Sequence, residues 1–446
     1  MISRPNRKRL QVDLRYDGEA SGSIISPAGG GKTSCCVITT LLTDGSTMIV
    51  HDPSLELFST THKHRRECLN NEIVVLCPWE DEANEILGEK LVVDAGIDFY
   101  GTIDLKGKPE LIRDDVKNRS ELILPDSPKI DHKSRYFESD GRIMTDFVTL
   151  TLIANGHKPT LPAIREFLMA GPTVLNDLFV RAMDSSAFAG ELALLGNYLN
   201  GLLTAAPQQF AGGFGCATQA VELFSKASPV GKHVSSGGIG PKRLTKGRNI
   251  TIYVCYPGER IKTHKRLATA TFTYLFQQVC RSVRGNRVTA LIDEAAELEC
   301  PFPRFMNIGR KYNLRIFLVY QDLHGQVEAV MGKENVRQII AASDLLWATS
   351  LRGETAELFS KMLGMRAADN FSLNDQSRIQ QGMPDQSFGR SHQSVPLLRP
   401  EEIQQLPKNK ALVIHGTGKP VLVNKVPYYT RSDLLSVAGP NPYRGK

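Results

Sequence analysis

The sequence predicts an α/β protein whose mainly parallel sheet surrounds a phosphate loop and whose chain is interrupted by an all-α segment. Three observations carry that expectation. A glycine-rich turn at Ser26-Pro27-Ala28-Gly29-Gly30-Gly31-Lys32-Thr33 follows a short apolar stretch and leads into residues 34–42, the strand–turn–helix setting of a phosphate loop. Apolar, β-branched runs alternate with helical stretches on both sides of the chain's middle, as βαβ units do. Between about 133 and 225 the strand-like runs vanish and helical ones follow one another.

The loop comes first. Three successive glycines leave the backbone free to curl with its N–H groups inward, because no Cβ blocks an approaching phosphate. The helix that follows adds partial positive charge at its first turn. Pro27, Ala28, Gly29, Gly30, Gly31, Lys32, Thr33 and Ser34 are the candidate phosphate-binding residues. Lys32 is placed to reach the β and γ phosphates of ATP, and the Thr33 hydroxyl to ligate Mg2+. The usual pattern opens on glycine, and here Ser26 stands in that place.

Downstream, 47–51 reads as a strand ending at Asp52-Pro53, and 73–77 as another closed by Pro78-Trp79. From 92 to about 128 the signals weaken into short strands and charged loops, with Pro-Asp-Ser-Pro at 125–128 as a boundary. Helices are expected at 144–155, 161–170, 174–184 and 187–203, separated by Gly and Pro. Residues 226–248 are rich in Gly and Ser and carry six cations with no acid, which suits a solvated connection or a loop facing a polyanion.

The α/β pattern resumes with a strand at 249–256, a helix at about 262–284, and an apolar strand at 288–292 that ends in Asp293-Glu294. Asp293 would hold magnesium through the metal's shell, and Glu294 would orient or deprotonate the attacking water. The strand 315–320 ends in Gln321-Asp322, and parallel sheets place ligands at that carboxyl edge. Residues 345–350, 411–415 and 420–426 complete the sheet or its edge; 368–394, rich in Ser, Gln, Asn and Gly, reads as a mobile loop. The expected division is therefore 1–132 and 226–446 as two parts of one nucleotide-binding domain, with 133–225 inserted between them.

Composition narrows the class. The 446 residues are 41% hydrophobic and 23% charged with a net charge of +7, a basic excess that permits contact with nucleic acid or anionic lipid. Eight scattered cysteines without a C-x-x-C pair point to reduced core thiols. No apolar run reaches about 18 residues, so no transmembrane span is expected in this chain. Arg4, Arg7, Lys8 and Arg9 make a basic start that suits a solvated tail or a segment beside a membrane anchor. The histidines, among them His62 and His64, read as surface residues without metal spacing.

Several stretches, in order, resemble the coupling-protein ATPases of conjugation and type IV secretion, the TraG/TraD type. They are Arg15-Tyr16-Asp17-Gly18, Val50-His51-Asp52-Pro53, Leu291-Ile292-Asp293-Glu294, Gly309-Arg310-Lys311-Tyr312-Asn313-Leu314-Arg315, Val319-Tyr320-Gln321-Asp322-Leu323, Glu354-Thr355-Ala356-Glu357, Leu363-Gly364, Leu397-Leu398-Arg399-Pro400-Glu401-Glu402-Ile403 and Leu406-Pro407. The resemblance covers about residues 15–429. It implies a RecA-like P-loop ATPase domain with an all-α insertion, working as a hexamer at the cytoplasmic face of the bacterial inner membrane. It implies, as partners, single-stranded DNA with its relaxase, or effector proteins, and the inner-membrane components of the secretion apparatus. By the same resemblance Gln321 is a γ-phosphate sensor, and Arg310 an arginine finger given to the neighbouring subunit. The family's Asp-Pro-Lys-Gly-Glu is here Asp52-Pro53-Ser54-Leu55-Glu56, and its N-terminal transmembrane anchor is absent from this sequence. Two rival functions share these motifs: a substrate receptor whose nucleotide serves only assembly, and a double-stranded DNA pump of the chromosome-partition type.

Overall fold

The computed structural model describes residues 14–93, 96–126, 132–374 and 387–443. The basic start at 4–9 and the second half of the expected boundary at 125–128 fall outside them.

The sheet strands are β1 (Gly22–Ile25), β2 (Thr47–His51), β3 (Glu72–Leu76), β4 (Ile250–Val254), β5 (Val288–Ile292), β6 (Leu314–Tyr320) and β7 (Leu345–Ala348). Further along come β8 (Met365–Asn374), β9 (Ser387–Pro396), β10 (Lys410–His415) and β11 (Val421–Asn424). Nine of them form one sheet in the order β11-β10-β7-β1-β6-β5-β2-β4-β3. All neighbours from β7 to β3 are parallel, and β10 and β11 close one edge in antiparallel pairing.

Both faces of this sheet are covered, which is why its strands read as continuous apolar runs instead of alternating ones. Ile25, Ile49, Val74, Ile252, Ile292 and Leu318 point into one core; Ile24, Val50, Val75, Tyr253, Leu291 and Val319 point into the other. The first core continues without a break into the helical segment, through Phe147, Phe179, Leu199 and Phe210. Helices His132–Ala154, Leu161–Met169, Pro172–Ala182, Glu191–Ala205 and Pro207–Val221 build that segment. Four of these match expected helices to within a turn at most ends, although the first begins twelve residues earlier; 207–221 extends the set.

Two expectations are corrected. The stretch after 92 was expected to be short strands and loops, but Pro109–Ile123 is a four-turn helix. Its buried row is Ile112, Val116, Arg119, Ser120 and Ile123, so an arginine occupies a core position and hides the apolar period. Arg119 is fully buried, with its guanidinium 4.9 Å from the Tyr274 ring centroid and bonded to Gln277 Oε1 and Thr102 Oγ1. In the stretch 226–248 Lys226, Lys232, Lys242 and Lys246 are exposed, as a solvated connection requires, and short helices Pro229–His233 and Pro241–Thr245 anchor it by burying Val230 and Leu244. Finally, of the mobile loop expected at 368–394, residues 375–386 lie outside the described ones, while 368–374 and 387–394 belong to β8 and β9, which pair antiparallel from Met365↔Pro396 to Asn374↔Ser387. In β8 the apolar residues at alternate places, Met365, Ala367, Phe371 and Leu373, are interrupted by Asp369, and β9 mixes Phe388 and Val395 with Ser, Gly, His and Gln, so the alternation is too broken to mark a pair of strands.

Candidate nucleotide site

β1 lies inside the sheet, between β6 and β7, so the loop that leaves its end opens onto the carboxyl edge of the parallel strands. Gly29 and Gly31 have φ of +71° and +91°, a backbone shape that a side chain would strain. Gly30 is fixed differently: a Cβ there would lie 1.9 Å from Ser26 Oγ. That contact excludes any side chain at 30 while serine stands in the first glycine's place. Ser26 is fully buried, its N–H donates to Tyr320 O, and its hydroxyl lies 2.6 Å from Thr349 Oγ1, past the end of β7. The loop is thereby tied to both flanking strands.

Lys32 is buried at the helix start, and Thr33 Oγ1 donates to Asp293 Oδ2 at 3.4 Å. The two residues with candidate magnesium roles, one after β1 and one after β5, thus meet. Burial raises the Asp293 carboxyl to about 6, Lys32 pulls it down, and Glu294 pushes it up. β6 runs between β1 and β5, so Gln321, half-exposed after its last residue, stands between the two motifs. Glu294 adopts a left-handed conformation with φ of 51°, and its N–H donates to Asp293 Oδ1 at 3.0 Å. Hard oxygen donors, a backbone cradle and a buried lysine fit a magnesium–triphosphate group.

Arg310 is not brought to this cluster. It is exposed, precedes the amino end of β6, and faces Glu19 at 3.5 Å. The seven residues of β6 separate it from the loop by about 20 Å at ~3.3 Å per residue.

Sequence reasoning missed several residues around the site. His51, fully buried as the last residue of β2, donates Nδ1–H to the Asp293 carbonyl at 2.5 Å; burial lowers its pKa to about 4, so it stays neutral. Asp52 is also fully buried and accepts from the Phe58 N–H at 2.7 Å and the Ser54 hydroxyl at 3.2 Å. Lys425, from just beyond β11, donates to the Gly30 carbonyl at 2.6 Å. It is 395 residues away in sequence, and no local signal marks it. The expectation of surface histidines is corrected at His62, which is buried, stacks on Phe58 at 4.1 Å and bonds the Phe58 carbonyl.

Two predictions arise here. Burial raises the Asp52 carboxyl to about 7, helped by the charge of Asp293 and opposed by the bonds from Phe58, Leu57 and Ser54. Because the folded value lies above the ordinary one, the stability tied to the neutral acid is complete below about pH 4 and lost as pH rises through about 7. Asp52→Asn keeps the cap and removes the charge. Its unfolding free energy in nucleotide-free protein, read from thermal unfolding, should match wild type near pH 4 and exceed it at pH 8 by on the order of 2 kcal/mol. Equal midpoints at both pH values would refute this.

Leu55 occupies the family's glycine position with φ of 58°, yet its side chain is fully buried in the second core. Leu55→Gly would relieve about 1 kcal/mol of backbone strain and forfeit about 3 kcal/mol of burial and packing. Chemical denaturation should show a net loss of about 2 kcal/mol. A stabilised variant would show that the strain is the larger quantity.

The family model described as "Type IV secretory system Conjugative DNA transfer" matches residues 5–443. The conjugal transfer protein TraG of Agrobacterium fabrum is 22% identical over 442 residues, spanning 96% of this chain and 63% of TraG. The type IV secretion system-coupling protein VirD4 of Bartonella henselae is 20% identical over 437 residues, spanning 93% and 64%. The chain therefore spans a little under two thirds of the length of these relatives. Among solved structures, the unbound bacterial conjugative coupling protein TrwB matches with a TM-score of 0.66 at 16% identity, covering 92% of this chain and 85% of that one. TrwB bound to ADP and Mg2+ matches with a TM-score of 0.64 at 16% identity, covering 92% and 85%. This likeness fixes the fold as a RecA-like P-loop domain joined to an all-α portion. Among the described residues, no helix is long and apolar enough to cross a membrane.

Proposed function

The chain belongs to the type IV secretory system conjugative DNA transfer family, and on that premise we propose that it is an ATP-hydrolysing coupling protein. It recruits DNA, as a relaxase-bound single strand, or effector proteins, and drives their passage into a type IV secretion apparatus at the inner membrane's cytoplasmic face. The observation that carries this reading is the meeting of Thr33 and Asp293 at 3.4 Å on one sheet edge, with Lys32 beside them. TrwB, which shares this fold, has been solved with the ATP analogue ADPNP and with ADP and Mg2+.

The roles follow from position. The loop backbone and Lys32 hold the phosphates, and Thr33 and Asp293 hold magnesium, which neutralises charge on them when bound. Glu294 orients the attacking water and takes its proton. Gln321 senses the γ phosphate from between the two motifs. Arg310 stands at the far edge of its own sheet, so it serves a neighbouring subunit's nucleotide in a hexameric ring, where its charge offsets that developing on the transferred group.

A substrate-receptor role for the helical segment is compatible with this motor, and one feature favours it. Val174, Val180, Leu194 and Tyr198 are exposed on helices 172–182 and 191–205.

ATP turnover measured against protein concentration, with and without single-stranded DNA, tests the proposal. Turnover per chain should climb as rings form and climb again with DNA, while native mass with ATP and Mg2+ shows a hexamer. Turnover indifferent to concentration and DNA would overturn the ring motor. DNA affinity that stays flat from low to physiological salt would overturn phosphate-driven contact.

A further inference from the structure

The phosphate loop has a second lysine. We infer that Lys425 is a positioning residue that holds the loop in its nucleotide-receiving shape and adds its positive charge to that of Lys32. The inference rests on the reading of this loop as a nucleotide site.

Lys425 is held on both sides. Its own N–H donates to Asn409 O at 2.8 Å, one step beyond the β10–β11 register pair Lys410↔Asn424. After Pro427, Tyr428 is buried in the core that also holds Val37 and Ile38 of the helix following the loop. Between these anchors the half-buried side chain reaches the Gly30 carbonyl with its ammonium at 2.6 Å. Its Cδ and Nζ lie 3.9 Å from where a Gly31 Cβ would be, so it also lines the outer wall of the turn.

The loop needs such a partner. Gly30 spends its N–H on the Pro27 carbonyl at 3.0 Å, and Gly29 and Gly31 are in conformations that glycine alone adopts freely, so the turn has little intrinsic stiffness. A charge-assisted bond to the middle carbonyl is stronger than a neutral one and polarises the peptide unit it grips. The charge reaches the helix start as well: burial raises the Cys35 and Cys36 thiols, and Lys425 pulls both back down. A triphosphate arriving at the loop meets that field in addition to the field of Lys32.

The experiment measures binding of a fluorescent ADP analogue with Mg2+ to the full chain, with thermal midpoints recorded for each variant. Lys425→Met should weaken binding about tenfold, and Lys425→Arg should stay within about threefold of wild type. The Met variant should also flatten the salt dependence of affinity, because one charge has gone. If Lys425→Met does not fold, Lys425→Gln, which keeps a donor without the charge, is read on the same scale and should show the same loss. Affinity of the Met or Gln variant within twofold of wild type, or an Arg variant as weak as Met, would overturn the inference. Lys32→Ala separates the parent reading: if wild type fails to bind, or Lys32→Ala binds as well as wild type, the nucleotide site itself is refuted. If only Lys425 proves silent, the nucleotide site stands and the second lysine falls.

Discussion

Glu294→Gln is expected to bind ATP and Mg2+ with wild-type affinity and to lose turnover by about a hundredfold to ten-thousandfold, the range that removal of a general base produces. The substitution conserves volume and leaves the backbone free to keep its left-handed turn after β5. Asp293, whose Oδ1 accepts the Glu294 N–H, keeps that partner. The phosphate loop, Lys32 and Thr33 are untouched, so binding persists while water is no longer activated. Lys32→Ala is the contrast: it removes the buried cation beside Asp293 and should abolish both binding and turnover. Filter binding with radiolabelled ATP, followed by phosphate release, distinguishes the two. Unchanged turnover in both variants would remove the hydrolase assignment, and unchanged turnover in Glu294→Gln alone would move the base elsewhere.

Arg65→Ala is expected to give the largest loss of stability, about 3–5 kcal/mol, the cost of emptying a buried and fully bonded charged position. Arg65 is completely buried, and every donor of its guanidinium is used. Nε bonds Thr251 Oγ1 at 2.7 Å, Nη1 bonds the Leu41 and Asp44 carbonyls at 2.7 Å each, and Nη2 bonds the Ser46 carbonyl and Asn71 Oδ1 at 2.9 and 3.0 Å. These acceptors belong to the end of the phosphate-loop helix, the turn before β2, the residue ahead of β3, and β4. Removal leaves several buried oxygens without donors and uncouples the loop helix from three strands. Arg65→Lys should recover only part of the loss, because an ammonium has three donors and no fork. Urea denaturation checks both variants, and a loss below about 1 kcal/mol for the alanine would show that the clamp is dispensable.

How much of this was legible depended on whether a feature was local. The runs 47–51 and 288–292 are strands at those limits, because a strand buried on both faces must be apolar throughout. The helix 109–123 was missed because Arg119 sits where an apolar residue was sought, and a buried arginine is recognisable only once Tyr274 and Gln277 are beside it. The β8–β9 ladder was missed because polar residues interrupt the apolar alternation of both strands, and which strand pairs with which is not a local property.

By itself the sequence determined the phosphate loop, the Asp-Glu strand end, the alternation of strands and helices, and the helical stretch that interrupts them. Each of these is written in neighbouring residues, whose spacing follows from the periods of helix and strand and from glycine's freedom at a turn. Tertiary structure alone decided that β6 stands between β1 and β5, that Ser26 is locked to Thr349, that His51 fixes the Asp293 carbonyl, that Arg310 faces away from its own loop, and that Lys425 reaches Gly30. Such pairings join residues from separate strands and, for Lys425, from the other end of the chain. They depend on strand order and on the close packing that brings distant backbone together, and neither is encoded at any single position.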